Sequence, residues 1–525
     1  MITGIKRRTS GITGGQLKFL NNDQLKEIDY ASKEVLWHTG VVVHSQDALE
    51  ILNNAGAVVD FKKEHAWIPP YLVDEAVKKS PKGFRVAGRD PKKYLDFRED
   101  RVYFAPYIGP TYVLDLDGKH RPFTIKDSQD ILRLTDALPN LDVASWGGTY
   151  ESTPIEEMGM PMRVRRTRSI LRGFEFAEKP VDMTIKYVTD YEYAKWTLTN
   201  PKEAAMDEIN MGVALRGSIE ELRKMPIGGG MNEPVSPLVH THDQVERMLV
   251  YARQGLPIYI GTEPMMSATA PATVAGTVVL WNAESLSCLV IGQMAADPKH
   301  RPPVVYLAIG GAFDQRDCQG PMLGSPESAL IIAASAQVSK YYGFPCRCIG
   351  DTESKLPDAQ AGYETATFLI TAALAGVNYC HFAGLIGHEQ GFSFEKVVLD
   401  DDMIHYVRRL MEGINVCEET LAVDVIDKVG PGGTFLTHRH TREWFEKEMT
   451  FPKIFDRKSL SVWQREGSKD ARQRANEKAR EILKEHWPEP LDSGIKKRLV
   501  EYVKKIEKKE AHDVMSIARG SGFRG

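Results

Sequence analysis

Aromatic and acidic residues recur directly after apolar runs in this chain, and those two residue types together can hold a cation. Tyr103, Phe104, Tyr107 and Tyr112 gather around the first run, Trp146 follows the run ending at Ser145, and Glu263 follows Ile258-Tyr259-Ile260. Farther along, Asp314 and Arg316 come after the run ending at Ala308, Glu353 and Asp358 after the one ending at Ile349, and His381-Phe382 close the next. A quaternary ammonium ion has no N–H to donate, so ring faces and nearby anions must hold it. An arginine such as Arg316 would partner a substrate carboxylate. These residues form the candidate binding set, although aromatic side chains at such positions also serve as plain packing. Glu263 and Lys355 are the candidates for a catalytic role. Lys355 has the chemistry of a base or Schiff-base amine, and also that of a simple ion-pair partner for Glu353 and Asp358.

Two His-x-His pairs, His240/His242 and His438/His440, have the spacing that barrel hydrolases use for metal. Their context argues otherwise. Thr241-His242-Asp243 leads into an amphipathic helix, and the second pair lies outside the repeating pattern described below. Cys346-Arg347-Cys348 lacks the two-residue spacer and second pair of a structural zinc site. No metal is assigned.

The elements that must position these residues follow from hydrophobic periodicity. Apolar runs predict strands at Asp142 to Ser145, Val181 to Thr184, Pro257 to Gly261, Val304 to Ala308, Cys346 to Ile349 and Val377 to His381. Helical patterns fall between them: Thr124 to Leu138, His242 to Gln254, Pro271 to Ala296, Ser325 to Tyr342, Ala359 to Leu374 and Asp400 to Met411. Repeated strand-then-helix order predicts an α/β fold with a parallel sheet, and its length suits a TIM (β/α)8 barrel with active residues at the strand C-termini. No Gly-x-Gly-x-x-Gly and no P-loop opens a helix, so a nucleotide-binding fold lacks its motif. Residues 1–100 predict a helical cap or extension, with helices after Asn22-Asp23, at Gln46 to Ala55 and at Pro70 to Lys79. Residues 101–450 form the barrel body, and 451–525 a charged helical tail.

Composition bounds the function classes. The 525 residues are 42% hydrophobic and 26% charged, as in ordinary globular proteins. The formal net charge of −4 gives no footprint for nucleic acid. Met1 to Thr13 is polar and basic with no apolar core, and no stretch reaches about 18 uninterrupted apolar residues. All six cysteines lie between Cys288 and Cys417, a poor layout for a disulfide scaffold. A cytoplasmic protein is expected, with no nucleic-acid or membrane partner.

Longer strings carry a family resemblance. Glu263-Pro-Met-Met-Ser-Ala-Thr-Ala-Pro-Ala-Thr-Val-Ala-Gly, Gly324-Ser-Pro-Glu with Tyr341-Tyr-Gly-Phe-Pro, and Asp351-Thr-Glu-Ser-Lys-Leu-Pro-Asp-Ala-Gln-Ala-Gly-Tyr-Glu resemble signature stretches of the trimethylamine methyltransferase family. So do Ala375-Gly-Val-Asn, Phe435-Leu-Thr-His and, in the tail, Ala475-Asn-Glu-Lys-Ala-Arg-Glu-Ile-Leu. The resemblance covers almost the whole chain.

It implies a TIM barrel that passes a methyl group from a methylated amine to the cobalt(I) of a corrinoid on a separate protein. No tightly bound cofactor is implied, and self-association is expected. Trimethylamine-specific members carry pyrrolysine, which activates a tertiary amine; this chain has only standard residues, with residues 353–360 as the segment where pyrrolysine would fall. The resemblance therefore favours a quaternary amine, glycine betaine first, with carnitine, proline betaine and trimethylamine as alternatives. A metal-dependent barrel hydrolase and a non-catalytic betaine-binding protein are the competing classes.

Overall fold

The computed structural model describes residues 12–98, 100–107, 110–144, 154–181, 200–316 and 320–520. Its centre is a sheet of strands β1 (Ile12–Thr13), β2 (Arg101–Pro106), β3 (Gly230–Asn232), β4 (Ile258–Thr262), β5 (Val304–Ala308), β6 (Cys346–Ile349) and β7 (Tyr379–Ala383). The spatial order is β1-β2-β7-β6-β5-β4-β3, parallel throughout except for β1. Beyond β2 the hydrogen-bonded path continues: the Asp142 amide donates to the Phe104 carbonyl at 2.9 Å, and Ala144 bridges Val181 in parallel. The expected strands at Asp142 and Val181 are thus present as single bridges, and the rest of both runs lies outside the described residues. Among the described residues the path does not return from Val181 to β3.

β4 to β7 are buried on both faces, which explains why they read as continuous apolar runs instead of alternating ones. The crossover helices are α4 (Ile125–Ala137), α5 (Met162–Phe176), α6 (Pro201–Arg216), α7 (His242–Arg253), α8 (Val274–Ala295), α9 (Pro326–Tyr341), α10 (Ala359–Ala375) and α11 (Phe394–Met411). α8 is long and apolar enough to cross a bilayer, but 78% of its most apolar window is buried inside the fold. It packs on β4 on one side and on α1 (Asn22–Glu34), α2 (Gln46–Ala55) and α3 (Pro70–Lys79) on the other. A helix covered all round needs no polar face.

Two helix starts differ from the sequence pattern in an instructive way. Asn21, not Asn22, caps α1, in a reciprocal box with Gln24. α11 starts at Phe394, six residues before the predicted Asp400, with Ser393 as its cap. Its first turns bury Glu395, Lys396 and Asp400 as partners, so charges hide the inward face. α5 and α6 were not anticipated at all. The tail helices α12 (Ala471–Glu485) and α13 (Ser493–Gly520) lie on α4 and α11, and on α5 and α6, respectively.

A small hairpin, Arg85–Ala87 with Tyr94–Asp96, closes the sheet interior at the end where the strands begin. Phe84, Val86, Leu95 and Phe97 from it pack with Tyr103, Tyr259, Val305 and Tyr379. The Asp96 amide donates to the Tyr103 hydroxyl at 2.9 Å, and Arg85 and Arg98 bind the Asp96 carboxylate.

Candidate functional site

Side chains alternate along a strand, so every second residue enters the interior. On β6, Cys346 and Cys348 face the helices and Arg347 faces inward. On β7, Cys380 and Phe382 face out while Tyr379 and His381 face in. Tyr107, just after β2, completes the group. The His381 ring lies 5.6 Å from that of Tyr107 and 5.8 Å from that of Tyr379, and Arg347 Nη2 is 2.8 Å from His381 Nδ1. The Arg347 guanidinium also lies 5.7 Å from the Tyr379 ring. All four side chains are buried. The β2–β7 register shifts between His381 and Ala383, an irregularity of the kind that re-aims side chains beside active sites.

Acidic groups surround the strand C-termini. Asp351, two residues after β6, is fully enclosed and accepts from the amides of Thr352 and Glu389. Burial pushes its carboxyl up to about 7 despite those hydrogen bonds. The loop it grips holds His388 and Glu389 at φ 58° and 63°, left-handed conformations unusual for such residues. Neighbouring Gly387 donates to the carbonyls of Thr352 and Ser354, and a Cβ there would stand 2.4 Å from the Tyr112 hydroxyl. Glu284 of α8 accepts from the Leu238 amide at 2.6 Å and the Ser236 hydroxyl at 2.9 Å; burial pushes it up to about 7 as well. Ser236 in turn meets Thr262, the residue before Glu263. Glu263 is half-buried at the end of β4.

The structure therefore gathers part of the expected set and disperses the rest. Tyr107 and His381 come together, and Glu263 sits on the same edge. Tyr103 faces inward but belongs to the closed end, under the hairpin, where burial pushes its hydroxyl up to about 12. Phe104 points the opposite way, into the helical layer, with Arg408 4.9 Å from its ring. Asp314 and Arg316 pair with each other at the surface, the Arg316 side chain being 89% exposed. Asp358 caps α10 and accepts from Ser354. Lys355 is exposed and donates to the Glu353 carbonyl at 2.7 Å, not to a carboxylate. Trp146 lies outside the described residues.

The histidine pairs diverge. His240 is enclosed beside Ser287 and Asn232, and burial pushes its imidazole down to about 3. His242 faces solvent and meets the His44 carbonyl. His438 caps the helix Arg439–Glu448, while His440 stacks on Trp444. Cys348 and Cys380 are cross-strand neighbours, and the five described cysteines are all free.

Sequence reasoning missed Arg347, Asp351 and Glu284; Tyr379, level with Tyr103, belongs to the closed end. The available signal was Arg347 itself, a charge inside an otherwise apolar strand.

The family profile described as trimethylamine methyltransferase (MTTB) matches residues 6–511. A glycine betaine methyltransferase of Desulfitobacterium hafniense (strain Y51) is 30% identical over 487 residues, covering 92% of this chain and 96% of that protein. A trimethylamine methyltransferase of Methanosarcina thermophila is 32% identical over 502 residues, covering 93% and 97%. Among solved structures, the monomethylamine methyltransferase of Methanosarcina barkeri is similar with a TM-score of 0.50 at 12% identity, covering 91% of this chain and 89% of that chain. That likeness is one of mixed α/β fold.

Proposed function

The chain belongs to the trimethylamine methyltransferase family, and from that premise we propose that it moves a methyl group from glycine betaine to a corrinoid carried by a separate protein. The supporting observation is the Arg347–His381–Tyr107 group, which offers a cation, a neutral ring and an aromatic face at one buried place. Arg347 would take the betaine carboxylate, and the ring of Tyr107, with Trp146 as a further aromatic candidate, would take the trimethylammonium. Glu263 adds negative charge on the same edge. The standard amino-acid set agrees with a quaternary substrate, which leaves as a neutral amine and needs no activation.

In the proposed reaction the corrinoid is a substrate. Cobalt(I) attacks a methyl carbon with its electron pair, a cobalt–carbon bond forms, and the carbon–nitrogen bond breaks. Its electrons stay on nitrogen, giving dimethylglycine. The protein's part is to fix the methyl group in line and exclude water. No side chain serves as a covalent nucleophile.

The architecture proposed for this task is a closed eight-stranded barrel, with its second and third strands starting at Asp142 and Val181. Residues 1–100 flank it as an extension and 451–525 as a tail. The enzyme is proposed to work in the cytoplasm as a homo-oligomer.

Absorbance of a cobalt(I) corrinoid, free or protein-bound, tests the function with glycine betaine, carnitine, proline betaine and trimethylamine offered separately. Methyl-cobalt formation with glycine betaine and not with trimethylamine is expected. Transfer from trimethylamine alone would overturn the substrate assignment, and no transfer from any amine would overturn the reaction.

A further inference from the structure

A tight turn stands where β6 and β7 end. β7 leads into a short antiparallel pair, Leu385–Ile386 with Gly391–Ser393, and residues 387–390 connect its two strands. His388 and Glu389 are the central residues of that turn, with φ of 58° and 63°, and the Gln390 amide donates back to the Gly387 carbonyl at 3.3 Å. Positive φ at both central positions marks a type I′ turn, where Asn-Gly, Asp-Gly and Gly-Gly predominate because larger side chains crowd the backbone. Among the described non-glycine residues, these are the only two adjacent in sequence that both have positive φ.

The conformation is imposed from outside the turn. The Gly384 amide donates to the Asp400 carboxylate at 2.8 Å, Gly387 donates to the carbonyls of Thr352 and Ser354, and the Glu389 amide donates to Asp351. On the far side the Gln390 carbonyl accepts the amides of Thr111 and Tyr112. Asp351 and Asp400 are buried, so two enclosed carboxyl groups hold the segment. Each of these bonds is made by backbone atoms of residues 384–390, and none needs the side chain of His388 or Glu389. Glycine at both positions would satisfy them all with less strain. Strained residues that their surroundings over-determine gather at ligand sites, where the side chain is what the strain retains.

We propose that His388 and Glu389 contact the edge of the corrin ring, an inference that rests on the methyl transfer proposed above. Place and chemistry select that ligand over the amine. Arg347, His381 and Tyr107 are enclosed, whereas His388 and Glu389 are partly exposed and Gln390 is exposed, so the turn stands on the solvent side of the amine group. Cobalt must come within bonding reach of a methyl held by that group, and a flat macrocycle centred there overlies the strand ends beside the turn. A quaternary ammonium offers no N–H to a directional acceptor. The corrin ring is edged with neutral carboxamide arms, each with N–H donors and a C=O acceptor. The Glu389 carboxylate accepts from the first and the His388 imidazole donates to the second.

Glycine separates contact from fold, because it keeps the turn and its amides and removes only the side chains. The double variant His388→Gly/Glu389→Gly should unfold at a denaturant midpoint no lower than that of the wild type. With glycine betaine as donor and free cob(I)alamin as acceptor, its kcat/KM for the corrinoid should fall roughly 10- to 100-fold, as expected for two lost hydrogen bonds, one of them to a charge. Its dissociation constant for glycine betaine in calorimetric titration should stay at the wild-type value. A wild-type kcat/KM for cob(I)alamin in the folded variant overturns the contact. A loss confined to glycine betaine binding overturns it too, by giving both side chains to the amine. Should the double variant misfold, the two single glycine variants are measured in the same way and the same outcomes decide. Absence of methyl transfer by the wild type is a separate result, which overturns the reaction proposed above and the contact with it.

Discussion

Arg347 and His381 stand on neighbouring parallel strands with Arg347 Nη2 2.8 Å from His381 Nδ1. A guanidinium has only donors, so Nδ1 must accept, and the imidazole is held neutral with its proton on Nε2. The pair thereby fixes both a positive charge and a ring orientation inside the sheet. On the proposed function a charge-assisted contact from Arg347 to the betaine carboxylate contributes about 1.5–3 kcal/mol. Arg347→Ala should then lower kcat/KM for glycine betaine roughly 10- to 100-fold. Tetramethylammonium, which has no carboxylate, should be demethylated within about threefold of the wild-type rate, as judged against that contact energy. Equal losses for both substrates would reduce Arg347 to a structural part.

On the proposed function the ring face of Tyr107, and not its hydroxyl, meets the substrate. Tyr107→Phe should bind glycine betaine as the wild type does, while Tyr107→Ala should weaken it by about 1–2 kcal/mol in calorimetric titration. Trp146→Ala should show a loss of the same order if its ring joins the cage. A wild-type dissociation constant in either alanine variant removes that residue from the site.

Glu284 makes stability depend on pH in a definite direction. Its carboxyl is raised from the ordinary value near 4.5 to about 7 by burial, so the folded state binds a proton that the unfolded state has already released across that interval. The stability it contributes is full below pH 4.5 and declines as pH rises through about 7. Glu284→Gln should make the fall of the denaturant midpoint across this window shallower, with Asp351 supplying what remains. A slope unchanged in the variant would place the titration elsewhere, with Asp351, raised to about 7, as the first alternative.

Asp402 holds three consecutive amides, those of Lys453, Ile454 and Phe455, each at 2.9 Å. Removing the carboxylate orphans them at the point where the chain rejoins α11. Asp402→Ala should cost about 2–4 kcal/mol in chemical denaturation, and Asp402→Asn less. Equal stability of all three proteins would show that water replaces the carboxylate at no cost.

Where the sequence was legible, polarity and burial agreed. β4, β5 and β6 sit within a residue or so of their apolar runs, and α7 and α9 within one or two of theirs. α5 was hidden because its inward face is built of arginines: Arg163, Arg166 and Arg172 are buried, and each finds a carboxylate in Asp207, Glu208 or Glu157. Only Val164, Ile170 and Phe174 mark its apolar side, too sparse among so many charges to stand out as a period. Arg347 escaped notice for the related reason that Cys346 and Cys348 drew the eye while the residue between them faced inward.

Depth was the other quantity that spacing could not carry. Alternation alone puts Tyr103, Tyr107 and His381 on one face, yet it is silent on which end of the strand is closed. Only the packing of Phe97 against Tyr103 and Tyr379, at 6.0 and 6.3 Å, separates the Tyr103 level from that of His381 and Tyr107. Phe104 fails on alternation itself, being one residue out of phase with its neighbours.

The hairpin of residues 85–96 has a kinetic meaning beyond packing. It packs against the interior side chains at the end where the strands begin, and on the proposed function amine and corrinoid protein share the doorway at the other end. Two visitors with one doorway take turns: the small one enters first, and its demethylated remnant waits until the large one withdraws. Steady-state kinetics should therefore be compulsory-ordered. A partner protein loaded with an unreactive corrinoid should act as a stopper, trapping amine already inside and barring amine still in solution.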